Sequence, residues 1–293
     1  MQGNLMAKVV ILGFDGLEYN LVERFKLENM KQTQYGKILI PKECYTETVD
    51  PRGERVYEPY TPFVWSAFLT GRLPHEVGIN GATLQKWNSP LLQLLRVLSV
   101  KFRLHKIRGK GKLLEKFGFK RSSFSWKDYR YPTIFDYAEK PKIINVPTIS
   151  EEWGIKLEGK NFDEIIKAAW RRFYWVKKET LKAIEEDWDL FMVYTRLLDV
   201  IGELCYGKFM TLFKAYTSCN HFVGEVKERL DEKETIFLIV SDHGMERFGN
   251  TPFGKHSNHG FYSLNIKTEW KPKLITDFFP KILEWLKKID LKF

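Results

Sequence analysis

The sequence predicts an α/β fold in which helices cover both faces of a mostly parallel central sheet. Strand-like apolar runs alternate with helical patterns along most of the chain, and this order is typical of parallel sheets. Several of the runs are continuously apolar, as expected for strands that are buried on both faces. The chain has 293 residues, of which 44% are hydrophobic, so it is long enough to form one sizeable domain spanning 1–293.

The first half of the chain begins with a buried strand. Residues 8–13 form a continuous β-branched and apolar run before Asp15, which predicts this strand. A helix over 18–25 and a second strand over 37–40 follow. Another helix is predicted to begin at Thr61, because a proline comes next and an apolar stretch then runs to a glycine.

The second half repeats the alternation of strands and helices. Its elements are identified by apolar runs that stop at proline or polar residues and by longer helical patterns. The predicted strands are 143–146, 188–194, 235–240 and 261–266. The predicted helices are 161–186, a short helix around Asp199, 208–230 and 275–289.

Three carboxylates follow predicted strands. Asp15, Asp199 and Asp242 each come soon after an apolar run. Ligands of open α/β sheets bind beyond the carboxyl ends of the strands, so we expect the three side chains to meet at one rim.

Metal-binding chemistry is one interpretation of these residues. Asp242 and His243 together offer hard and borderline ligands for Zn²⁺ or Mn²⁺. Asp199 and Glu203 are four residues apart, so they share one face of a helix and could share one ion. His256 and His259 follow, and at least one of the two is expected to be a ligand.

Thr61 is the predicted nucleophile, because a helix N-terminus stabilises an alkoxide and favours a bound phosphate. Lys255 is a candidate partner for phosphoryl oxygens from its position alone.

Each feature also has a purely structural interpretation. Asp-Gly and Asp-His-Gly sequences favour turns, and threonine is a common N-cap. Asp199 and Glu203 could form a solvated helix face, although their neighbours are mostly apolar. The local sequence leaves these alternatives open.

The combined motifs resemble those of the alkaline phosphatase superfamily, and most nearly its type I phosphodiesterase/nucleotide pyrophosphatase branch. The matching segments are Gly13-Phe14-Asp15-Gly16, Thr61 with Thr70-Gly71, Pro74 and Gly78-Ile79, Asp199 with Gly202, Asp242-His243-Gly244-Met245, and His259-Gly260. The resemblance implies an alkaline-phosphatase-like fold. It does not extend to the basic segment between Lys86 and Arg121.

The resemblance also implies two divalent metal ions, zinc or manganese, with magnesium as a further candidate. One ion would be held by Asp15, Thr61, Asp242 and His243. The other would be held by Asp199, the residue four positions later and His259, with His256 as the alternative ligand.

This chain departs from the family pattern at the middle position of the second ligand set. Glu203 stands there in place of the expected histidine, and a carboxylate hardens the site towards Mn²⁺ or Mg²⁺. Asn80 lies near the position of the family's phosphate-binding asparagine and is carried over as a substrate-binding residue.

The implied function is hydrolysis of phosphodiesters or pyrophosphates through a phosphothreonine at Thr61. One alternative is a phosphomonoesterase or phosphoryl-transferase of the same superfamily, mutases included. Another is a non-catalytic protein with a degenerate metal site.

The basic character of the chain is confined to one segment. Between Lys86 and Arg121 there are eleven basic residues and one acidic residue, a net charge of +10 that equals that of the whole chain. We therefore predict an inserted basic helical cap over 86–130. Its residues 89–107 have a leucine stripe at helical spacing.

This amphipathic stretch has three interpretations: contact with an anionic membrane surface, attraction of a polyanionic substrate, or a packed cap helix with a solvated basic face. A nucleic-acid partner is disfavoured, because no recognised binding motif accompanies the charge.

The sequence predicts a cytoplasmic location, with the inner face of the membrane as an alternative. The three cysteines, Cys44, Cys205 and Cys219, show no paired spacing, which favours a reducing compartment. We find neither a signal-peptide pattern nor an apolar run that approaches the roughly 18 residues needed to span a bilayer.

Overall fold

The computed structural model describes residues 8–49, 55–80, 85–87, 121–151, 153, 160–231 and 233–286. In chain order its strands are β1 Lys8–Phe14, β2 Gln34–Leu39, β3 Tyr45–Val49, β4 Arg55–Pro59, β5 Gln85–Trp87, β6 Arg121–Ser123, β7 Pro141–Ile144, β8 Leu190–Thr195, β9 Thr235–Val240, β10 Met245–Arg247, β11 Gly254–His256 and β12 His259–Leu264. Its α-helices are α1 Tyr19–Arg24, α2 Thr61–Thr70, α3 Pro74–Val77, α4 Phe162–Ala183, α5 Leu197–Cys205, α6 Phe209–Lys227 and α7 Phe278–Trp285.

Six of the strands form a central sheet in the order β2-β12-β9-β1-β8-β7. The four strands β7, β8, β1 and β9 are parallel to one another. β12 pairs antiparallel with both β9 and β2. The mostly parallel sheet expected from the sequence is therefore confirmed.

The central strand β1 contributes to a hydrophobic core on each face of the sheet. Val10, Leu12 and Phe14 belong to a core that also contains buried residues of α4, α5 and α6. Val9 and Ile11 belong to the opposite core, which contains residues of α2 and α7. Successive side chains of a strand point to opposite faces, so the continuous apolar run of β1 fills both cores and the helices lie on both faces, as predicted.

The main differences from the expected elements are three short antiparallel strand pairs. β3 pairs with β4, β5 with β6 and β10 with β11. These strands are three to five residues long and polar enough to show no hydrophobic alternation, so they carry little of the signal that identifies strands. The predicted C-terminal helix starts with a 3-10 turn at Ile275–Asp277, and its last predicted residues, 287–289, lie outside the described ones.

The predicted basic cap falls largely outside the described residues. Of 86–130, the structure describes 86–87 and 121–130; the amphipathic stretch 89–107 is not among them. Both the cap and its contact with a membrane surface therefore stay predictions. At the base of the segment, Trp87 lies opposite Arg121 in the β5–β6 ladder. Among the helices of the described ranges, none combines the length and the apolar character needed to cross a membrane.

Candidate active site

Three adjacent parallel strands deliver acidic residues to the same edge of the sheet. Asp15 directly follows β1, Asp242 follows β9 after one residue, and Asp199 lies in the first turn of α5, just beyond β8. β1 lies between β8 and β9 in the sheet. All three carboxylates are fully buried. Each has a ligand atom within 4.8 Å of one on His243, so the predicted meeting at one rim is found in the structure.

The first cluster consists of Asp15, Asp242 and His243. Each offers one ligand atom, and these atoms lie within 4.8 Å of one another. The Nε2 atom of His243 is 3.0 Å from Oδ1 of Asp15 and 3.7 Å from Oδ2 of Asp242. Two buried side chains orient the carboxylates: the Trp65 indole donates to Asp242 over 3.1 Å, and the Tyr194 hydroxyl donates to Asp15.

Thr61 lies at the first residue of α2, beside this cluster. The N-cap residue is Tyr60, without a side-chain capping bond, so the Thr61 hydroxyl does not cap the helix. Instead, its Oγ1 lies 3.5 Å from both carboxylate oxygens of Asp15. The first-turn amides of Phe63 and Val64 donate to the Tyr60 carbonyl. These two N–H groups are therefore not the free phosphate donors expected at this helix end, and the helix acts on the site chiefly through its dipole.

The second cluster consists of Asp199, His243 and His256, again with ligand atoms within 4.8 Å of one another. His256 Nε2 is 3.2 Å from Asp199 Oδ1 and 3.4 Å from Glu203 Oε1. The rings of His243 and His256 stack with centroids 3.7 Å apart. The two clusters therefore share His243 and form one continuous centre.

The atoms that face the centre fit bound cations. Among the described residues, the buried atoms Asp199 Oδ1, His243 Nε2 and His256 Nε2 make no hydrogen bond of normal geometry. The Nδ1 atoms of His243 and His256 each lie 3.0 Å from a backbone carbonyl oxygen, of Gly244 and Pro59 respectively. A carbonyl can only accept, so both Nδ1 atoms carry the proton and each Nε2 faces the centre, as in metal-binding histidines.

The electrostatics of the centre also favour a bound cation. Burial and the negative charge of Asp15 raise the pKa of Asp242 well above its ordinary value. Burial lowers the pKa of His243, but the charge of Asp242 and the nearby Asp15 outweigh it and raise this pKa to about 9. Burial opposes protonation of His256 as well, yet its contacts with Asp199 and Glu203 raise its pKa well above the usual value. In the metal-free protein, protons supply the positive charge that the crowded carboxylates require.

Metal binding is therefore expected to release protons. At pH 7 His243 is protonated, because its pKa is about 9, and a metal ion must displace that proton to bind Nε2. Apparent metal affinity should rise as the pH increases from 7 towards 9, where His243 loses its proton unaided. Calorimetric titration with Mn²⁺ at pH 7, in buffers of different ionisation enthalpy, measures the protons released. Binding without proton release would contradict these protonation states.

The other predicted site residues lie around the centre. Glu203 is on α5, with a side chain 26% exposed, and it approaches the second cluster through His256. Lys255 pairs with Glu246 across the β10–β11 hairpin over 2.8 Å. Asn80 is at an exposed position beyond α3. The substrate-binding roles of Lys255 and Asn80 stay predictions.

The structure separates the two candidate histidines. His256, the last residue of β11, pairs with Met245 in the hairpin ladder, which holds it against His243. His259, the first residue of β12, lies outside both clusters, and its Nε2 is 3.3 Å from Oε1 of the buried Glu18. The arrangement thus favours His256, the alternative ligand, over the residue that the resemblance implied.

Several residues of the site had not been identified from the sequence. Arg196 and Tyr194 lie at the end of β8, and Trp65 and Glu18 also contact the site residues or their neighbours. Trp65 follows Thr61 by four residues, a spacing that places both on one side of a helix, so this signal was available. Arg196 carried no comparable signal before its partners were known.

Comparison with solved structures supports the fold. The chain resembles the PH0037 protein of Pyrococcus horikoshii, with a TM-score of 0.52 and 11% identity over 99% of both chains. It also resembles human ectonucleotide pyrophosphatase/phosphodiesterase 5, with a TM-score of 0.53 and 11% identity over 96% of this chain and 95% of the other. At this level of identity the likeness concerns the fold alone, and the expected alkaline-phosphatase-like architecture is confirmed. No curated protein sequence matches this chain.

The sequence itself matches a family model, that of type I phosphodiesterase/nucleotide pyrophosphatase, over residues 9–256. This span includes Asp15, Thr61, Asp199, the Asp242-His243 pair and His256. This match also confirms the expectation that the protein is an enzyme that hydrolyses phosphoric esters. The chain belongs to the type I phosphodiesterase/nucleotide pyrophosphatase family.

Proposed function

We propose that this protein is a metal-dependent hydrolase of phosphodiesters or pyrophosphates that acts through a covalent intermediate on Thr61. The observation that carries the proposal is the position of the Thr61 hydroxyl, at a helix N-terminus and 3.5 Å from both oxygens of Asp15. A buried threonine that caps nothing and faces an acidic cluster is suited to nucleophilic catalysis.

Two divalent ions fit the centre. Asp15, Thr61, Asp242 and His243 would hold one ion, and Asp199, His256 and Glu203 would hold the other. When bound, the ions would supply positive charge that acidifies a hydroxyl and stabilises phosphoryl oxygens. The mixture of carboxylates and imidazoles suits Zn²⁺ or Mn²⁺, and the additional carboxylate of Glu203 shifts the preference towards Mn²⁺ or Mg²⁺.

The residues of this chain then perform two displacements. Thr61 gives its proton to the Asp15 carboxylate, and Oγ1 forms a bond to phosphorus while the bond from phosphorus to the leaving oxygen breaks. The leaving oxygen takes up a proton from solvent. Water next attacks the same phosphorus and the bond to Oγ1 breaks. One proton of that water passes to Oγ1 and restores the Thr61 hydroxyl, and Asp15 releases the proton that it had accepted to solvent. Tyr194 holds the proton acceptor Asp15 in place, because its hydroxyl donates to the Asp15 carboxylate from a fully buried position.

A comparison of substrates tests the proposal. The purified protein would be assayed with bis(4-nitrophenyl) phosphate and 4-nitrophenyl phosphate, without metal and with Mn²⁺, Zn²⁺ or Mg²⁺. We expect metal-dependent turnover, with kcat/KM for the diester at least about tenfold higher, a difference of about 1.4 kcal/mol in transition-state free energy. A reversed preference would instead support the monoesterase alternative. Absence of turnover with every metal would support the non-catalytic one.

A further inference from the structure

Arg196 connects the two clusters of the centre. It directly follows β8, and its Nε lies 2.9 Å from Oδ2 of Asp199 and 3.6 Å from Oδ2 of Asp15. Its side chain is 22% exposed and those of both aspartates are fully buried. A guanidinium is always charged and binds carboxylates at fixed geometry, so it is a permanent cation between two sets of metal ligands.

Glu203 lies on the other side of Asp199. Arg196, Asp199 and Glu203 are spaced by three and four residues around the start of α5, which places them along one helix face. Asp199 uses its two oxygens differently: Oδ2 accepts from Arg196, whereas Oδ1 faces His256, which in turn faces Glu203. Arg196 therefore orients Asp199 without covering the oxygen that an ion would use.

Without Arg196, negative charge would be in excess at the centre when the substrate is bound. Five carboxylates lie in or beside the centre: Asp15, Asp199, Asp242 and Glu203, together with Glu58, whose Oε2 is 3.8 Å from Nδ1 of His256. Two divalent ions would not neutralise all five, and the substrate is itself an anion. The fixed positive charge of Arg196 offsets one of these negative charges, which favours a bound phosphoryl group.

We propose that the fixed positive charge of Arg196 offsets the charge of Glu203, so that the metal-loaded centre binds anionic phosphoryl groups. This inference rests on the proposed function, because it assumes a metal-loaded centre. Arg196 and Glu203 would then act together on the affinity for substrate. If their contacts only stabilised the fold, neither residue would affect that affinity.

A double-mutant cycle tests the pair with inorganic phosphate as the probe. The proteins are the wild type, Arg196→Met, Glu203→Gln, the double variant and Arg196→Lys, each loaded with Mn²⁺ to equal occupancy by elemental analysis. Calorimetry gives the Kd of phosphate for each. We expect Arg196→Met to weaken phosphate binding about tenfold or more, as is usual for close charges in a shielded site. Glu203→Gln should restore most of that loss in the double variant, and Arg196→Lys should stay near the wild type.

The contrary results are equally distinct. If the double variant binds phosphate as weakly as Arg196→Met, the two charges do not compensate and the proposal fails. It also fails if Arg196→Lys is as weak as Arg196→Met, because geometry and not charge then carries the effect. Ester turnover of the wild type is a separate measurement. If the variants show the expected compensation in phosphate binding but the wild type turns over no ester, the proposed reaction is overturned and the proposed charge pair is not.

Discussion

Replacement of Thr61 with alanine is expected to lower ester turnover by about 10⁴-fold or more, the scale seen when a catalytic nucleophile is removed. The Thr61 hydroxyl faces Asp15. The Tyr194 hydroxyl also contacts Asp15, but it belongs to a fully buried side chain and orients that carboxylate. Metal content should fall little, since Asp15, Asp242 and His243 all stay. Steady-state kinetics with the preferred nitrophenyl ester and elemental analysis of the same preparation measure both effects.

Thr70 provides a matched control on the same helix. It is buried, and its Oγ1 donates to the Ser66 carbonyl over 2.7 Å, away from the acidic clusters. Thr70→Ala should cost about 1 kcal/mol of stability and leave turnover almost unchanged. Thr61→Ser, which keeps a hydroxyl, should retain measurable activity. Normal turnover in Thr61→Ala would exclude Thr61 as the nucleophile.

Replacement of His243 is expected to have the largest effect on metal content. His243 belongs to both clusters, so His243→Ala should weaken binding of both ions, by about 100-fold or more in affinity, because even outer-shell partners of a metal contribute 10–100-fold. Asp242→Asn should affect chiefly one ion, since Asp242 belongs to the first cluster alone. Asparagine keeps an oxygen that can accept from Trp65. Both variants should lose turnover together with metal.

His259→Ala is the matched histidine control. Its ring contacts Glu18 and lies outside the two clusters, so this variant should keep its metal while His256→Ala loses one ion. The opposite outcome, with metal lost in His259→Ala and kept in His256→Ala, would show that the second ion is held as the family resemblance implied. Elemental analysis after gel filtration distinguishes the two arrangements.

The parts of the fold that the sequence predicted well are those in which burial dictates composition. β1 and β9 are buried on both faces, so their residues form unbroken apolar runs, and the acidic residues after them had to lie at the rim. The register of β10 against β11 left no such trace, because three-residue strands show too little periodicity to fix it. The choice between His256 and His259 depends on that register, and the sequence alone therefore left it open.

The polar partners of the site were harder to predict for a related reason. Trp65 and Asp242 are 177 residues apart, and Tyr194 and Asp15 are 179 apart. Hydrogen bonds at such separation follow from the packing of whole elements and have no local pattern. Arg196 is similar: a single arginine after a strand is commonly a surface residue, and only the neighbouring strand order brings it between Asp15 and Asp199.

The stereochemical course at phosphorus tests the central claim most directly. A phosphorothioate diester of known configuration would be hydrolysed in ¹⁸O-labelled water and the configuration of the product determined. Each in-line displacement inverts phosphorus, so attack by Thr61 followed by attack of water predicts overall retention. Overall inversion would mean that water attacks the substrate directly, and it would contradict the covalent intermediate on Thr61.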